Sequence, residues 1–481
     1  MLGSRAVARS GPLNLSQAHL AQIARLGVPV PEYDRGALVQ RIVHVGVGGF
    51  HRAHLAVYAH ELAGTGSDWG IAGLGLLEHD AAMGAALGAQ DHLYTLIEKG
   101  AGEPRPAVIG SIVDFVHAPP GRDDLVGELI ASPATAILSM TVTEGGYAVS
   151  ANPTFDRLAT ALALRRERGA GPVTVLSCDN LPGNGDAARA ATLAAAERTD
   201  AALGAWIQEH CTFPNSMVDR ITPVTEDADR SWLRDEVGID DRWPVVAEPF
   251  RQWVMEDEFA AGRPRWEDLG VIATDRIHDW ELYKLRLLNA GHSSIAYLSA
   301  LAGITFVHEA MAVPAIRSFL EELLHHEALP TLVEIPGHPR EQYIRTVVER
   351  FANPGVRDQI ARLCIDGSAK FPKFAIPTVV RQLEAGGPIG RLTTALAAWA
   401  RYLGTVTDPA FDSQADAARR YGALAMTDPL AFLEFDAVFG PELCGSERFR
   451  AAFSRAYRRI AADGPMAAMA DEPREPAGDV L

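Results

Sequence analysis

"RIVHVGVGGFHRAH", residues 41–54, passes from an apolar, β-branched run through three glycines into a helix-like segment. Ile42, Val43 and Val45 favour a buried strand, and Gly46, Gly48 and Gly49 follow at once. Glycines here let the backbone turn sharply and let a pyrophosphate approach the amides of a helix N-terminus. His51 stands where the third glycine of G-x-G-x-x-G would be. From these letters alone, a strand–turn–helix without a ligand is an equal reading.

A nucleotide-binding unit also needs an acid for the ribose after its second strand. Glu78 and Asp80 in "LLEHD" qualify, but they lie 32 and 34 residues beyond Gly46, against the usual ~20. Either carboxylate is also readable as simply solvated.

Working outward, "WGIAGLGLL" (69–77), "TAILSMTVT" (135–143) and "VTVLSCDN" (173–180) read as further buried strands. Helical patterns at 154–168 and 185–199 alternate with them. The expectation is an α/β architecture with a Rossmann-type parallel sheet in residues 1–280. From residue 281 periodic helical segments follow one another, at 281–302, 309–327, 340–351, 356–364, 375–384 and 390–403, so residues 281–481 read as a mostly helical second domain. Between the halves, residues 262–280 are Pro- and Gly-punctuated and then β-like, as if returning to the first domain.

The bulk numbers agree with a soluble protein of two domains: 481 residues, 48% hydrophobic and 22% charged. A formal charge of −17 repels phosphate backbones and anionic lipid, so neither nucleic acid nor membrane is an expected partner. No apolar run reaches the ~18 residues of a membrane span, and no apolar stretch backs the arginines near the start. Cys178, Cys211, Cys364 and Cys444 are scattered, which argues against a disulfide framework or thiolate metal site and for a reducing, cytoplasmic setting. The tail "ADEPREPAGDVL" reads as frayed.

Two common redox designs fail by inspection. None of the ten tyrosines has a Lys four residues later, as a short-chain dehydrogenase requires. Four isolated cysteines make a zinc alcohol dehydrogenase improbable. Any redox chemistry needs another base.

"ELYKLRLLNAGHSS" (281–294) offers one. On a regular helix of ~100° per residue, Glu281 at 0° puts Lys284 at 300°, His292 at 20° and Asn289 at 80°, a sector of about 140°. Such a stripe must face water or a polar cavity, because a buried polar group without partners costs roughly 1–3 kcal/mol. A solvated i,i+3 Glu–Lys pair explains Glu281 and Lys284, but explains poorly Asn289 and His292 embedded in "LLNAGHSS".

"KLRLLNAGH" carries the Lys-x4-Asn-x2-His signature of the polyol-specific long-chain dehydrogenases and reductases, and the chain resembles that family. "GVGGFHRAH", "TVTEGGY" (141–147), "SCDNLPGNG" (177–185), "FPNSMVDRITP" (213–223) and "EPFRQWVMED" (248–257) resemble its other blocks in the same order, from about residue 14 to residue 465. The His at the third glycine position belongs to that family's own loop. "FVHEAM" (306–311) and "RLCIDGSAKFPKFAIPT" (362–378) look more like its mannitol-oxidising branch than its fructuronate reductases.

The resemblance implies reversible, metal-independent oxidation of D-mannitol at C2 to D-fructose, with NAD as cofactor and a small polyol or ketose as the only partner of a monomer. Lys284 would be the general base, its ordinary titration near ~10.4 lowered by burial or nearby positive charge. Asn180 and Asn289 would donate to the substrate oxygen as it becomes alkoxide-like, and His292 would bond substrate or orient Lys284. Asp219, Arg362 and Lys370 would bind the remaining hydroxyls, although a structural salt bridge is an equal reading for Asp219 and Arg362. Glu281 would relay the proton. Gly46, Gly48, Gly49, Phe50, His51 and Arg52 would hold the cofactor, with the active site in a cleft between the domains. Glu144 would brace the nicotinamide side or cap a turn. Glu78 and Asp80, with His79 between them and no Arg nearby, favour NAD over NADP.

D-arabinitol, D-sorbitol and a hexuronate such as fructuronate remain open as substrates. Two rivals outside the family are a non-catalytic nucleotide-binding module and a Rossmann-like methyltransferase. The first has no need of the Lys-Asn-His set, and the second has no use for a lysine base.

Overall fold

The computed structural model describes residues 11–150 and 152–470, so the first ten residues and the tail read as frayed, from 471 on, lie outside it. The chain forms two compact units that divide between His278 and Asp279.

The first unit is built on six strands: β1 (Val39–Val45), β2 (Trp69–Gly75), β3 (Ile112–His117), β4 (Ile137–Met140), β5 (Val173–Ser177) and β6 (Cys211–Thr212). All pair in parallel, in the spatial order β3-β2-β1-β4-β5-β6. This is the strand order of dinucleotide-binding Rossmann sheets, and the order reverses between β1 and β4. Alternate residues feed the two faces. Ile42, Ile71, Ile112 and Ile137 pack with Leu55 and Leu62, whereas Val43, Val45, Leu74, Leu138 and Val175 pack with Phe155, Leu158 and Leu162. A parallel sheet covered on both faces demands such continuous apolar runs, which is why these strands were legible.

Two additions were not legible. Tyr94–Glu98 and Arg105–Ile109 form an antiparallel hairpin that Val245–Ala247 joins. Ser216–Asp219, Gln252–Met255 and Ile272–Ala273 make a second small sheet. The β-like stretch before residue 280 thus pairs back onto the first unit through Ile272–Ala273.

The second unit is mostly helical. Its central helices, Ala290–Leu301 and Gly390–Thr405, pack on each other, and Gly291 in the first of them lies close against Leu320 and Phe351. Ser294 and Thr393 donate their hydroxyls to Ala290 O and Ile389 O, whereas the Ser299 hydroxyl is buried with no hydrogen-bond partner among the described residues. The expected helix at 356–364 shrinks to Ile360–Leu363. Ala415–Ala425 and Glu447–Ala470 are additional helices, the second kinked where Gly464 takes φ 84° ahead of Pro465. Among the described residues no helix is long and apolar enough to cross a membrane.

Candidate active site

In the first unit, loops gather at the carboxyl ends of the strands on both sides of the switch between β1 and β4. Gly46 leaves β1 at φ 85°, and a side chain there would strike the Thr141 carbonyl, so only glycine fits. The Thr141 hydroxyl donates to Gly46 O at 2.7 Å and ties the turn to the end of β4. Gly48 is exposed and caps the helix Gly49–Ala53. Gly49 and Phe50 are half-buried behind it. The Gly48 amide donates to Gly46 O at 2.7 Å, so it is the first-turn amides of Gly49 and Phe50 that fit a dinucleotide pyrophosphate.

The side chains of His51 and Arg52 point inward instead. Arg52 is buried, donates from Nη1 to Trp243 O and lies over the Tyr94 ring at 5.3 Å. His51 stacks on His44 at 3.4 Å between ring centroids, and neither of its ring nitrogens has a hydrogen-bond partner among the described residues. Burial pushes His51 well below its ordinary range and brings His44 and His54 down to about 3, so all three imidazoles are neutral. The side chains of His51 and Arg52 brace the loop from below, and the Arg52 backbone is itself engaged, its amide donating to Gly48 O and its carbonyl accepting from the Tyr94 hydroxyl at 2.5 Å.

After β2, Asp80 opens the helix Asp80–Gly88 and accepts from Leu77 N at 2.8 Å, while Glu78 is exposed. Gly75, the last residue of β2, is small enough to let the Asp80 side chain pack against it. Asp80 is the better held of the two acids for a ribose.

After β5, Asn180 is exposed and its neighbour Asp179 is buried. Asp179 accepts from Val142 N and Thr143 N, both at 2.9 Å, and from the Tyr147 hydroxyl at 2.5 Å. It thereby locks "TVTEGGY" to "SCDN". The side chain of Glu144, within that loop, lies outside the described residues. Asp219 is buried at the end of the strand Ser216–Asp219, near enough to influence the His54 imidazole. Arg220, next to it, donates to Ala53 O and to Glu98 Oε1, each at 2.5 Å.

In the second unit, the polar helix is not regular. Residues Lys284–Asn289 form a π-turn between the α-helices Ile277–Tyr283 and Ala290–Leu301, and the Ala290 amide donates to Leu285 O, five residues back. One extra residue is absorbed in the turn, so everything beyond it rotates by about 100° relative to a regular helix. Lys284, Asn289 and His292 then share about 60° of the helix circumference, and Glu281 extends this to about 80°. Glu281 and Lys284 are buried, which removes the reading of a solvated pair. The Asn289 Nδ2 is buried with no hydrogen-bond partner among the described residues. The His292 ring stacks on Phe351 at 3.8 Å and 7°.

Arg362 and Lys370 lie nearby in the same unit. Arg362 is half-exposed and holds the buried Asp358 through Nε to Oδ1 at 2.7 Å and Nη2 to Oδ2 at 2.5 Å. Burial pushes the Asp358 carboxyl up, but hydrogen bonding and charge from Arg362, with a lesser contribution from His292, hold it below the usual range. Lys370 donates to Leu363 O at 3.1 Å, and burial, then the Arg362 charge, lowers its ammonium. Asp358 is thus linked to Arg362, His292 and Lys370 alike. Sequence reading passed over it and over Asp179, although the i,i+4 spacing of Asp358 and Arg362 was a usable signal. Among the described residues no group of three or more His, Cys, Asp or Glu side chains could hold a metal ion.

Comparison with known proteins agrees across both units. A family profile described as the mannitol dehydrogenase Rossmann domain matches residues 40–268, and one described as the mannitol dehydrogenase C-terminal domain matches residues 276–461. Mannitol 2-dehydrogenase of Aspergillus terreus is 41% identical over 95% of this chain and 99% of its own length. The solved Pseudomonas fluorescens mannitol 2-dehydrogenase, a ternary complex with NAD and D-mannitol, is 39% identical, covers 95% of this chain and 99% of its own, and superposes with a TM-score of 0.85. A substrate-free D-sorbitol dehydrogenase is 32% identical, covers 95% and 100%, and superposes with a TM-score of 0.86. The chain therefore belongs to the mannitol dehydrogenase family.

Proposed function

We propose that this protein is an NAD-dependent polyol dehydrogenase that oxidises D-mannitol at C2 to D-fructose, reversibly, with Lys284 as general base. The observation that carries the reading is the π-turn at Lys284–Asn289, which gathers a buried lysine, an amide donor and an imidazole on one narrow face. The relatives named above, one of them solved with NAD and D-mannitol, support the substrate and cofactor.

In this mechanism neutral Lys284 takes the proton of the C2 hydroxyl. The Asn289 Nδ2, buried without a hydrogen-bond partner among the described residues, donates to the oxygen as it gains alkoxide character, joined by Asn180 from the end of β5. His292, held flat against Phe351, orients the substrate or the lysine. Glu281, one turn before Lys284, relays the proton to solvent. Asp219, Arg362 and Lys370 bind the other hydroxyls. The amides of Gly49 and Phe50 and the Asp80 carboxylate would hold NAD, which when bound supplies the acceptor for the C2 hydride. With a lysine as base the proton transfer needs no metal ion. The enzyme works as a cytoplasmic monomer, its four cysteines free.

The test is NADH formation by purified protein with mannitol, arabinitol, sorbitol and mannonate in turn. Fastest turnover with mannitol is the expected result. The D-sorbitol dehydrogenase likeness makes sorbitol the second reading, and a sorbitol preference would keep the mechanism while changing the substrate. Silence with every polyol and with either NAD or NADP would overturn the proposal.

A further inference from the structure

We infer that Asp358 is a specificity-determining residue: by occupying the Arg362 guanidinium it reserves the site for uncharged polyols and excludes acidic sugars. The inference rests on the reading above that places Arg362 at the substrate. A guanidinium grips a carboxylate with two parallel N–H bonds, either from Nε and one Nη or from both Nη groups. Asp358 takes Nε and Nη2, the Nη that the side-on and end-on grips share. The carboxylate is fixed in that role by its backbone: Val307 N donates to Asp358 O at 2.9 Å, and Ile360 N donates to Thr305 O at 2.9 Å.

The neighbouring cation is engaged as well. Lys370 is the second cation, and Asp366 is the second acid acting on it. The Asp366 carboxylate is itself engaged, accepting from Ser413 N at 2.9 Å and Ser413 Oγ at 2.6 Å. A sugar acid reaching Arg362 would therefore meet a fixed, buried carboxylate already on the guanidinium, with a second carboxylate acting on the neighbouring Lys370. A neutral hydroxyl meets no such repulsion. Discrimination of this kind needs a repulsive element, and Asp358 supplies it.

The test compares D-mannonate with D-mannitol, as substrate and as competing inhibitor, in the unmodified enzyme, Asp358→Asn and Asp358→Glu. Asp358→Asn should raise the affinity for mannonate relative to mannitol by at least about tenfold, while Asp358→Glu keeps the unmodified ratio. A folded Asp358→Asn enzyme with an unchanged ratio overturns the inference. So does comparable binding of mannonate and mannitol by the unmodified enzyme, a measurement that requires no variant. Arg362→Ala separates the two readings. An unchanged KM for mannitol in that variant removes Arg362 from the substrate and fails the site assignment. A raised KM combined with an unmoved ratio in Asp358→Asn fails this inference alone.

Discussion

Asp179 accepts the backbone amide of Thr143 at 2.9 Å, and Thr143 is held at φ 66°, ψ 162°. A β-branched residue at positive φ costs on the order of 1–3 kcal/mol and persists only where its surroundings dictate it. Asp179 dictates it, accepting Val142 N and the Tyr147 hydroxyl at the same time.

Asp179→Ala leaves all three donors without their acceptor and should lower stability by about 1–3 kcal/mol, read as a shifted denaturant midpoint. Because the loop lies at the carboxyl end of β4, KM for NAD should rise as well. An intact KM in a destabilised variant would make Asp179 purely structural.

Lys284→Ala should lower the mannitol oxidation rate by at least about a hundredfold, the scale of one general base, with little change in NAD binding. In the unmodified enzyme the oxidation rate should climb with pH, because the base acts only when deprotonated. Near-normal oxidation by the variant, followed by NADH fluorescence, would contradict the mechanism.

Asp80→Ala should raise kcat/KM with NADP relative to NAD by about tenfold, since a 2′-phosphate would no longer face a carboxylate. The same change removes the acceptor for Leu77 N, so a helix-capping loss of about 1 kcal/mol should accompany it. An unchanged cofactor ratio would move the ribose contact away from Asp80.

The stacked histidines give the fold an acid limit. His44 and His54 are pushed down to about 3 by burial, while in an unfolded chain they titrate near 6.5. Between those values the unfolded chain binds more protons, so their contribution to stability is full above about 6.5 and is lost as pH falls toward 3. His51 is depressed in the same direction. Urea midpoints measured across this interval should decline, and His51→Phe, which keeps the ring on His44, should decline less steeply.

Much of this was legible because it is local. Parallel strands such as Val39–Val45 announce themselves as β-branched runs, and a glycine that must turn at positive φ is visible as Gly46. Polar residues inside an apolar helix stood out for the same reason. What escaped depends on partners far along the chain or on backbone slippage. Asp179 matters through residues 142–147, and the hairpin Tyr94–Ile109 is completed by a strand some 150 residues later. The inward turn of Arg52 depends on Trp243. No letter in "KLRLLN" declares that a turn will hold an extra residue, so the regular helical wheel spread the polar set over about 140° where the folded helix gathers it within about 80°.

That surplus residue also limits how the chemistry can be moved or rebuilt. Grafting the Lys-Asn-His letters onto a straight helix of another scaffold would fan the side chains apart, and no rotamer choice would converge them again. A designer copying this centre must transplant the slipped backbone from Lys284 to Asn289 as a unit, and a single-residue deletion there would erase the arrangement while leaving every functional letter in place.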